Sequence, residues 1–285
     1  MKRVIKPAIL TGALLVFSVM PTTLSQKNEF PLLTKEGLGD VVVEARSALA
    51  LDLLTDEIIF EKNIYEPLPL ASLSKIISSL VVVDFLNLDE YVEVSKKAIE
   101  TEEPSTLRVG EHLRVEDLLA MAMGESSNDA MMGLTEKLGD EKWFVELMQE
   151  KAVQLGGRTA KFLNSTGLDL PPPLLIKEGK PSNFGSAYDL AQIVKNSLDS
   201  IIWQVGNKEE VIGKEGITHK IKHTNILRTK LAGIYGAKTG FTDFAGGNLI
   251  LIIERPIGKP KLIVILGSTL EGRFEDAKKL VTLLK

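Results

Sequence analysis

The chain has 285 residues, 44% hydrophobic and 25% charged, so it is long enough to bury a sizeable core as one large domain or two subdomains. Its formal net charge of −4 gives no reason to propose nucleic acid as a partner. Cysteine is absent, which excludes disulfides, thiolate metal sites and a cysteine nucleophile.

The N-terminus has the layout of a secretory signal. Basic residues within the first six positions precede an apolar run over 8–20, which Pro21 ends. The run is short for a bilayer helix, which needs about 20 apolar residues. Residues 1–25 are therefore predicted to be a cleaved signal peptide or, alternatively, a retained anchor that associates with the membrane through 7–24. In both cases the protein is exported, and residues 26–40 are predicted to be a linker.

The first predicted strands follow this linker. Ala48–Leu54 and Glu57–Phe60 are apolar segments separated by Thr55 and Asp56, which is typical of a β-hairpin. The hairpin leads through two prolines into a long apolar run that begins near Leu70. This run is predicted to be a buried helix, because it is apolar on nearly every side.

The start of this helix carries the first candidate catalytic motif. Ser72 and Lys75 are three residues apart, so on an α-helix they share a face and the lysine nitrogen lies within reach of the serine oxygen. An uncharged lysine in a dry pocket is a base that activates a serine hydroxyl. Alone the pair is weak evidence, because a solvated lysine on a helix face is the ordinary interpretation.

A second motif lies between two predicted helices. The helix Val115–Met123 stops at Gly124, and another runs over Ala130–Leu138. Between them Ser126 and Asn128 form an SxN sequence. Taken alone, these two residues are most simply helix caps.

Further helices are predicted over Trp143–Leu155 and Tyr188–Leu198, joined by a loop whose three consecutive prolines start at Pro171. His219 and His223 are spaced to share a metal on a helix. No carboxylate-rich context accompanies them, so no metal and no cofactor are expected.

The C-terminal part returns to strands and supplies the third motif. Three strands with short connections predict an antiparallel meander, and Gly272–Leu284 is predicted to be a closing amphipathic helix. The outer strand ends in the sequence KTGF at 238–241, which alone is an ordinary polar strand end. The predicted strands are Ile234–Lys238, Asn248–Arg255 and Lys261–Leu266.

Together the three motifs are specific, because SxxK, SxN and KTG in this order characterise β-lactamases and penicillin-binding proteins. Over roughly 41–285 the chain resembles the low-molecular-mass penicillin-binding proteins, which are serine D-alanyl-D-alanine carboxypeptidases. ASLSK resembles the family's ASLTK, SSNDA its SGNDA, GLD at 167–169 its GLD, and AKTGFTDFAGGNL its KTGxTxxAGxxL.

The resemblance implies an α/β (α+β) fold of the β-lactamase/transpeptidase-like class. An antiparallel sheet flanked by helices is expected from 41–63 and 232–285. A mostly helical part over 64–231 is expected to carry the SxxK and SxN motifs. The chain ends with the closing helix, so it is expected to lack the extra β-domain and C-terminal anchor of many carboxypeptidases.

The resemblance also implies catalytic roles. Ser72 would attack the carbonyl between the two terminal D-alanines of a peptidoglycan pentapeptide. Lys75 would be the general base, kept neutral by burial and by the like charge of Lys238. Ser126 would pass the proton to the departing amine.

The remaining motif residues would bind substrate. The Asn128 amide would hold the base and the peptide, and Lys238 and Thr239 would bind the terminal carboxylate. Gly240 would leave room for the substrate. The backbone N–H groups of the nucleophilic serine and of Phe241 would form the oxyanion hole.

Two departures from the wider family bear on chemistry. Class A β-lactamases use the glutamate of an ExxLN loop for deacylation, but Ala160 stands three positions before Leu163. A penicilloyl-enzyme is therefore expected to persist, so that β-lactams inhibit the protein covalently. In addition, Thr224 and Asn225 resemble the family's NTN segment, whereas His223 replaces its first asparagine.

The sequence leaves two alternatives to the carboxypeptidase. An endopeptidase that cuts D-alanyl cross-links uses the same three motifs. A non-catalytic penicillin- or peptidoglycan-binding module would be acylated without turning over peptide, and the intact motifs favour the enzyme over this second alternative.

Overall fold

The computed structural model describes residues 41–101, 105–170 and 182–284. In chain order its strands are β1 (Ser47–Asp52), β2 (Ile58–Lys62), β3 (Leu68–Pro69), β4 (Tyr91–Glu93), β5 (His112–Arg114), β6 (Phe184–Gly185), β7 (Glu210–Ile212), β8 (Thr218–Lys220), β9 (Ile234–Thr242), β10 (Gly246–Glu254) and β11 (Pro260–Ser268). The helices are α1 (Lys75–Phe85), α2 (Lys96–Ile99), α3 (Val115–Gly124), α4 (Asn128–Leu138), α5 (Glu141–Gln154), α6 (Ala187–Lys195), α7 (Ile202–Val205) and α8 (Gly272–Val281).

Five strands form the central antiparallel sheet, in the order β2-β1-β11-β10-β9. This arrangement confirms the predicted hairpin, which is β1 and β2, and the predicted meander, which is β9 to β11. It also leaves β9 at one edge of the sheet, with the KTG motif near its end and with Lys238 opposite Ile250 of β10.

The middle strands are apolar on both faces because each face is covered. Alternate residues along a strand point to opposite sides of a sheet, and in β10 and β11 the two sets enter different cores. One set packs against the helical part: Ile250, Ile252, Leu262, Val264 and Leu266. The other packs against α8: Leu249, Leu251, Ile253, Ile263 and Ile265. Two buried cores therefore hold the sheet rigidly, including the strand next to the KTG edge.

Helix α1 lies in the middle of the helical part, as its apolar sequence predicts. Its residues 75–82 are all buried, and it contacts α3, α4 and α5. The turn that precedes α1 contacts β9 and β10. Packing on all sides therefore fixes the start of this helix against the edge of the sheet.

Most predicted elements are present, with shifted ends. The helical part also contains three strand pairs that periodicity did not predict, β3 with β6, β4 with β5 and β7 with β8. Each strand has two or three residues, too few for a two-residue alternation to be recognised. The predicted signal, the linker and the triple proline lie outside the described residues. Within the described ranges, the structure contains no helix that is both long and apolar enough to cross a bilayer.

Candidate active site

Ser72 and Lys75 meet at the entrance to α1. The sequence predicted both on one α-helix, but Ser72 lies in a 3₁₀ turn, Ala71–Ser74, and Lys75 is the first residue of α1. In a 3₁₀ turn residues i and i+3 eclipse each other, which brings the Lys75 Nζ to 3.0 Å from the Ser72 Oγ. The lysine is completely buried, whereas the serine is partly exposed.

Two further oxygens accept hydrogen bonds from the buried amine. The Lys75 Nζ lies 2.5 Å from the Asn128 Oδ1 and 2.8 Å from the backbone oxygen of Thr166. The sequence predicted the contact with Asn128. It did not indicate Thr166, because a backbone carbonyl has no residue-specific signature. These contacts connect α1, the start of α4 and the loop before the GLD sequence.

Ser126 is held in an uncommon backbone conformation between α3 and α4. Its φ of 71° lies in the left-handed region, which costs a non-glycine residue about 1–3 kcal/mol. Ser126 is not the helix cap, since the Ser127 Oγ accepts from the Ala130 N–H. The Ser126 Oγ instead accepts a 2.7 Å hydrogen bond from the Lys238 Nζ of β9.

Strand β9, which carries the KTG motif, forms the other side of the cleft. Lys238 is 1% exposed, and its amine also donates to the Thr239 backbone oxygen at 2.9 Å. The Thr239 hydroxyl lies 2.5 Å from the hydroxyl of Thr224. A small cavity of about 20 Å³ borders these residues and reaches His223. The structure thus brings side chains of all three motifs together.

Gly240 packs directly on the turn that carries the nucleophile. A Cβ atom at this position would lie 2.9 Å from the Leu70 backbone oxygen and 3.1 Å from the Ser72 backbone nitrogen. Glycine therefore allows β9 to approach the turn closely. The predicted role of leaving room for substrate stays a prediction. The neighbouring Phe241 exposes 46% of its surface at the edge of the cleft.

The GLD turn packs on the same peptide group from another direction. Gly167 has a φ of +87°, and a Cβ there would lie 2.0 Å from the Ala71 oxygen and 3.0 Å from the Ser72 nitrogen. Asn164 shapes this turn, since its side chain accepts from the Gly167 N–H and donates to the Leu168 oxygen. The Ala71 φ of 48° is also left-handed. The backbone before the nucleophile is thus fixed by close packing.

Gly167→Ala is expected to destabilise the protein much more than the same replacement at a glycine where the added methyl group would contact no other residue. The left-handed backbone costs an alanine about 1–2 kcal/mol, and the overlap with Ala71 adds about 1–3 kcal/mol. Gly216→Ala is the matched control, because Gly216 has a φ of +81° and no heavy atom of the described residues lies within 4 Å of where its methyl group would be. Urea unfolding measures both losses. Equal losses would contradict the packing role of Gly167.

His223 supports the loop beside Thr224 as a neutral imidazole. Its Nε2 lies 2.9 Å from the Lys208 backbone oxygen, so this nitrogen carries a proton and donates. Burial and, to a smaller extent, the charge of Arg228 lower the pKa of His223 from its ordinary 6.5, whereas Glu209 opposes the shift.

His223→Gln is expected to reduce the loss of stability in mild acid. Because the pKa is lower in the folded state, the unfolded chain binds the proton more readily, so the stabilisation present above pH 6.5 is lost as the pH falls. Glutamine keeps a neutral N–H donor and does not titrate. Unfolding free energies of both proteins at several pH values below 7 test this, and parallel pH profiles would contradict it.

His219 and His223 have different hydrogen-bond partners. The His219 Nε2 lies 2.6 Å from the buried Glu111 carboxylate. Over the described ranges, the structure places no three His, Cys, Asp or Glu side chains in a group that could hold a metal ion.

Comparison with known proteins identifies the family. Residues 34–268 match the family described as D-alanyl-D-alanine carboxypeptidase. D-alanyl-D-alanine carboxypeptidase DacF of Bacillus subtilis is 29% identical over 99% of this chain and 70% of its own length. The corresponding DacC of Escherichia coli is 30% identical over 84% of this chain and 61% of its own length. A D-alanyl-D-alanine endopeptidase of Pseudomonas aeruginosa is 28% identical over 82% and 75%.

A solved structure shares the fold. Penicillin-binding protein D2 of Listeria monocytogenes, in its ampicillin-bound form, superposes with a TM-score of 0.73 and 26% identity over 86% of this chain and 99% of that one. The β-lactamase/transpeptidase-like fold is therefore confirmed. Since the family match spans most of the sequence, the chain belongs to the D-alanyl-D-alanine carboxypeptidase family.

Proposed function

We propose that this protein removes the terminal D-alanine from peptidoglycan stem peptides through an acyl-enzyme on Ser72. The observation that carries the proposal is the pair of contacts across one cleft, from Lys75 to the Ser72 hydroxyl and from Lys238 to the Ser126 hydroxyl. These contacts support Ser72 as the nucleophile, Lys75 as the base and Ser126 as the proton relay for a peptide bound at the sheet edge.

Lys75 is suited to act as the general base. In its neutral form the amine has two N–H donors and one lone pair, and the oxygens of Asn128 and Thr166 match the two donors. The lone pair then faces the Ser72 hydroxyl at 3.0 Å. Burial favours this uncharged form. Both the hydrogen-bond geometry and the low exposure of Lys75 support proton transfer from the serine.

The acylation step follows from this geometry. The Ser72 Oγ bonds to the carbonyl carbon of the penultimate D-alanine while its proton passes to Lys75. The C–N bond to the terminal D-alanine then breaks, and the proton reaches the departing amine through the hydroxyl of Ser126. Ser126 would be well placed for this transfer, because Lys238 fixes its oxygen.

Lys238 and Thr239 are proposed to bind the terminal carboxylate of the substrate. A lysine supplies positive charge and a hydroxyl supplies a hydrogen bond, which are the groups that recognise a carboxylate. Both residues border the cavity beside Thr224. The Thr224 hydroxyl would orient that of Thr239 through their mutual hydrogen bond.

The backbone N–H groups of Ser72 and Phe241 would form the oxyanion hole. Each such donor is worth about 3 kcal/mol in other serine hydrolases. The close packing of Gly167 and Gly240 on the Ser72 backbone supports this role, because it leaves little freedom to the first donor. The second donor lies on an edge strand, to which an extended peptide would add as a further strand.

Deacylation by water would release the shortened peptide and regenerate the serine. Ala160 is buried and carries no carboxylate that would direct water onto a penicilloyl ester. We therefore propose that β-lactams form a long-lived adduct and inhibit the enzyme.

The family relatives favour one further activity. Cleavage of D-alanyl cross-links needs the same nucleophile and base, and one relative of comparable identity is named an endopeptidase. Peptidoglycan lies outside the cytoplasm, so we also propose that the protein is exported by residues 1–25 or anchored to the membrane through 7–24.

Product analysis tests the proposal. Purified protein is incubated with pentapeptide muropeptides and, separately, with cross-linked dimers. Free D-alanine without monomerisation supports the carboxypeptidase, and monomerised muropeptides support the endopeptidase. Acylation by penicillin with no product from either substrate would contradict both activities and indicate a non-catalytic binding module.

A further inference from the structure

A buried arginine contacts the KTG strand from the side of α8. Arg273 is 6% exposed, and its Nη1 donates a 2.7 Å hydrogen bond to the backbone oxygen of Gly240. Its Cζ lies 4.7 Å from the ring centroid of Phe274. Within the described part of the chain no carboxylate forms an ion pair with Arg273, and its Nε has no hydrogen-bond partner.

Such an environment is costly for a guanidinium group. A buried charge without an opposite charge loses hydration that one neutral hydrogen bond does not replace. Burial lowers the pKa of Arg273 to about 10, so the side chain remains charged at neutral pH. The fold therefore keeps a full positive charge against one particular carbonyl oxygen.

This carbonyl belongs to the peptide unit that supplies the second oxyanion donor. The C=O of Gly240 and the N–H of Phe241 are the two ends of one planar unit, and in a trans peptide they point in opposite directions. A charge-assisted hydrogen bond that holds the C=O therefore also fixes the direction of the N–H. The positive charge polarises the unit, which strengthens the N–H as a donor.

We propose that Arg273 is a positioning residue for the oxyanion hole, which aims and polarises the Gly240–Phe241 peptide from outside the cleft. This inference rests on the proposed function of that peptide. Arg273 does not touch the substrate, because the strand lies between them. Its effect should appear in the chemical step of acylation and not in the initial binding of the acyl donor.

A purely structural role of α8 needs a separate control. Asp276, on the same helix, accepts hydrogen bonds from the backbone N–H groups of Glu44 and Ala45, each at 2.9 Å. It also accepts from the Ser268 hydroxyl at 3.0 Å. Asp276 thus helps to dock α8 without contacting β9. Asp276→Asn is expected to destabilise the protein and to leave the acylation rate of the folded protein unchanged.

The experiment compares wild type, Arg273→Met, Arg273→Lys and Asp276→Asn by stopped-flow acylation with benzylpenicillin. Arg273→Met should lower the acylation rate constant about 10- to 100-fold, as expected for a slightly misplaced catalytic group, with Kd unchanged. Arg273→Lys keeps a charged donor and should recover part of this loss. Thermal unfolding confirms that each variant is folded at the assay temperature.

Isotope-edited infrared spectroscopy of the acyl-enzyme gives a direct readout. The ester carbonyl stretch should move to higher frequency in Arg273→Met, because a weaker hydrogen bond from Phe241 polarises the carbonyl less. A wild-type rate and an unshifted band in Arg273→Met would overturn the inference. A wild-type protein that is not acylated at all would instead overturn the proposed function.

Discussion

Ser72→Ala is expected to abolish D-alanine release and covalent labelling by penicillin. Loss of the nucleophile in other serine hydrolases lowers kcat by about 10⁶-fold. The neighbouring Lys75 amine is no substitute, since it is buried 3.0 Å behind the Ser72 oxygen and is itself held by Asn128. Fluorescent penicillin labelling and a D-alanine release assay measure the loss.

Ser79→Ala is the matched control for this variant. Ser79 is a buried serine of α1, the helix that follows the turn with Ser72, and its hydroxyl has no hydrogen-bond partner among the described residues. Removing an unsatisfied buried hydroxyl is close to neutral for stability. Ser79→Ala should therefore be labelled as fast as wild type. Labelling that persists in Ser72→Ala would exclude Ser72 as the nucleophile.

Lys75→Met is expected to slow acylation by about 10²- to 10⁴-fold, the usual contribution of a general base. Methionine has an unbranched side chain of similar length but no proton acceptor of comparable strength. The acceptors on Asn128 and Thr166 lose their donor, so the free energy of unfolding should also fall by about 1–3 kcal/mol. Stopped-flow acylation and urea unfolding separate the two effects.

Lys151→Met controls for the loss of a lysine. Lys151 lies on α5 and pairs with Asp84 at 2.7 Å, so its replacement should leave the acylation rate unchanged. If Lys75→Met reacts with penicillin as fast as Lys151→Met does, another group must take the serine proton.

The sequence predicted the parts of the fold that depend on apolar pattern. The runs that became α1, β10 and β11 are long and strongly apolar. The two strands contribute to both cores, and α1 contributes to the core of the helical part. The 3₁₀ turn at Ser72 was missed because helix periodicity does not distinguish it from the first turn of an α-helix. Pairs such as β7 and β8 were missed because three residues give no period.

The candidate site was likewise predicted only in part from the sequence. Ser72, Ser126 and Lys238 were found because their chemistry resides in side chains within recognisable motifs. The Thr166 oxygen was not found, since any residue supplies a backbone carbonyl. Arg273 was not found either. It lies 33 positions after Gly240 in the sequence, and only the packing of α8 against the sheet brings the two together.

The proposed function depends on acylation of Ser72 in the cleft formed by the three motifs. Mass spectrometry of the intact protein after exposure to benzylpenicillin, followed by peptide mapping, tests whether this serine is acylated. We expect one penicilloyl group per chain, attached to Ser72 and still present after excess antibiotic is removed. An unmodified protein, or an adduct on any other residue, would contradict the proposed function.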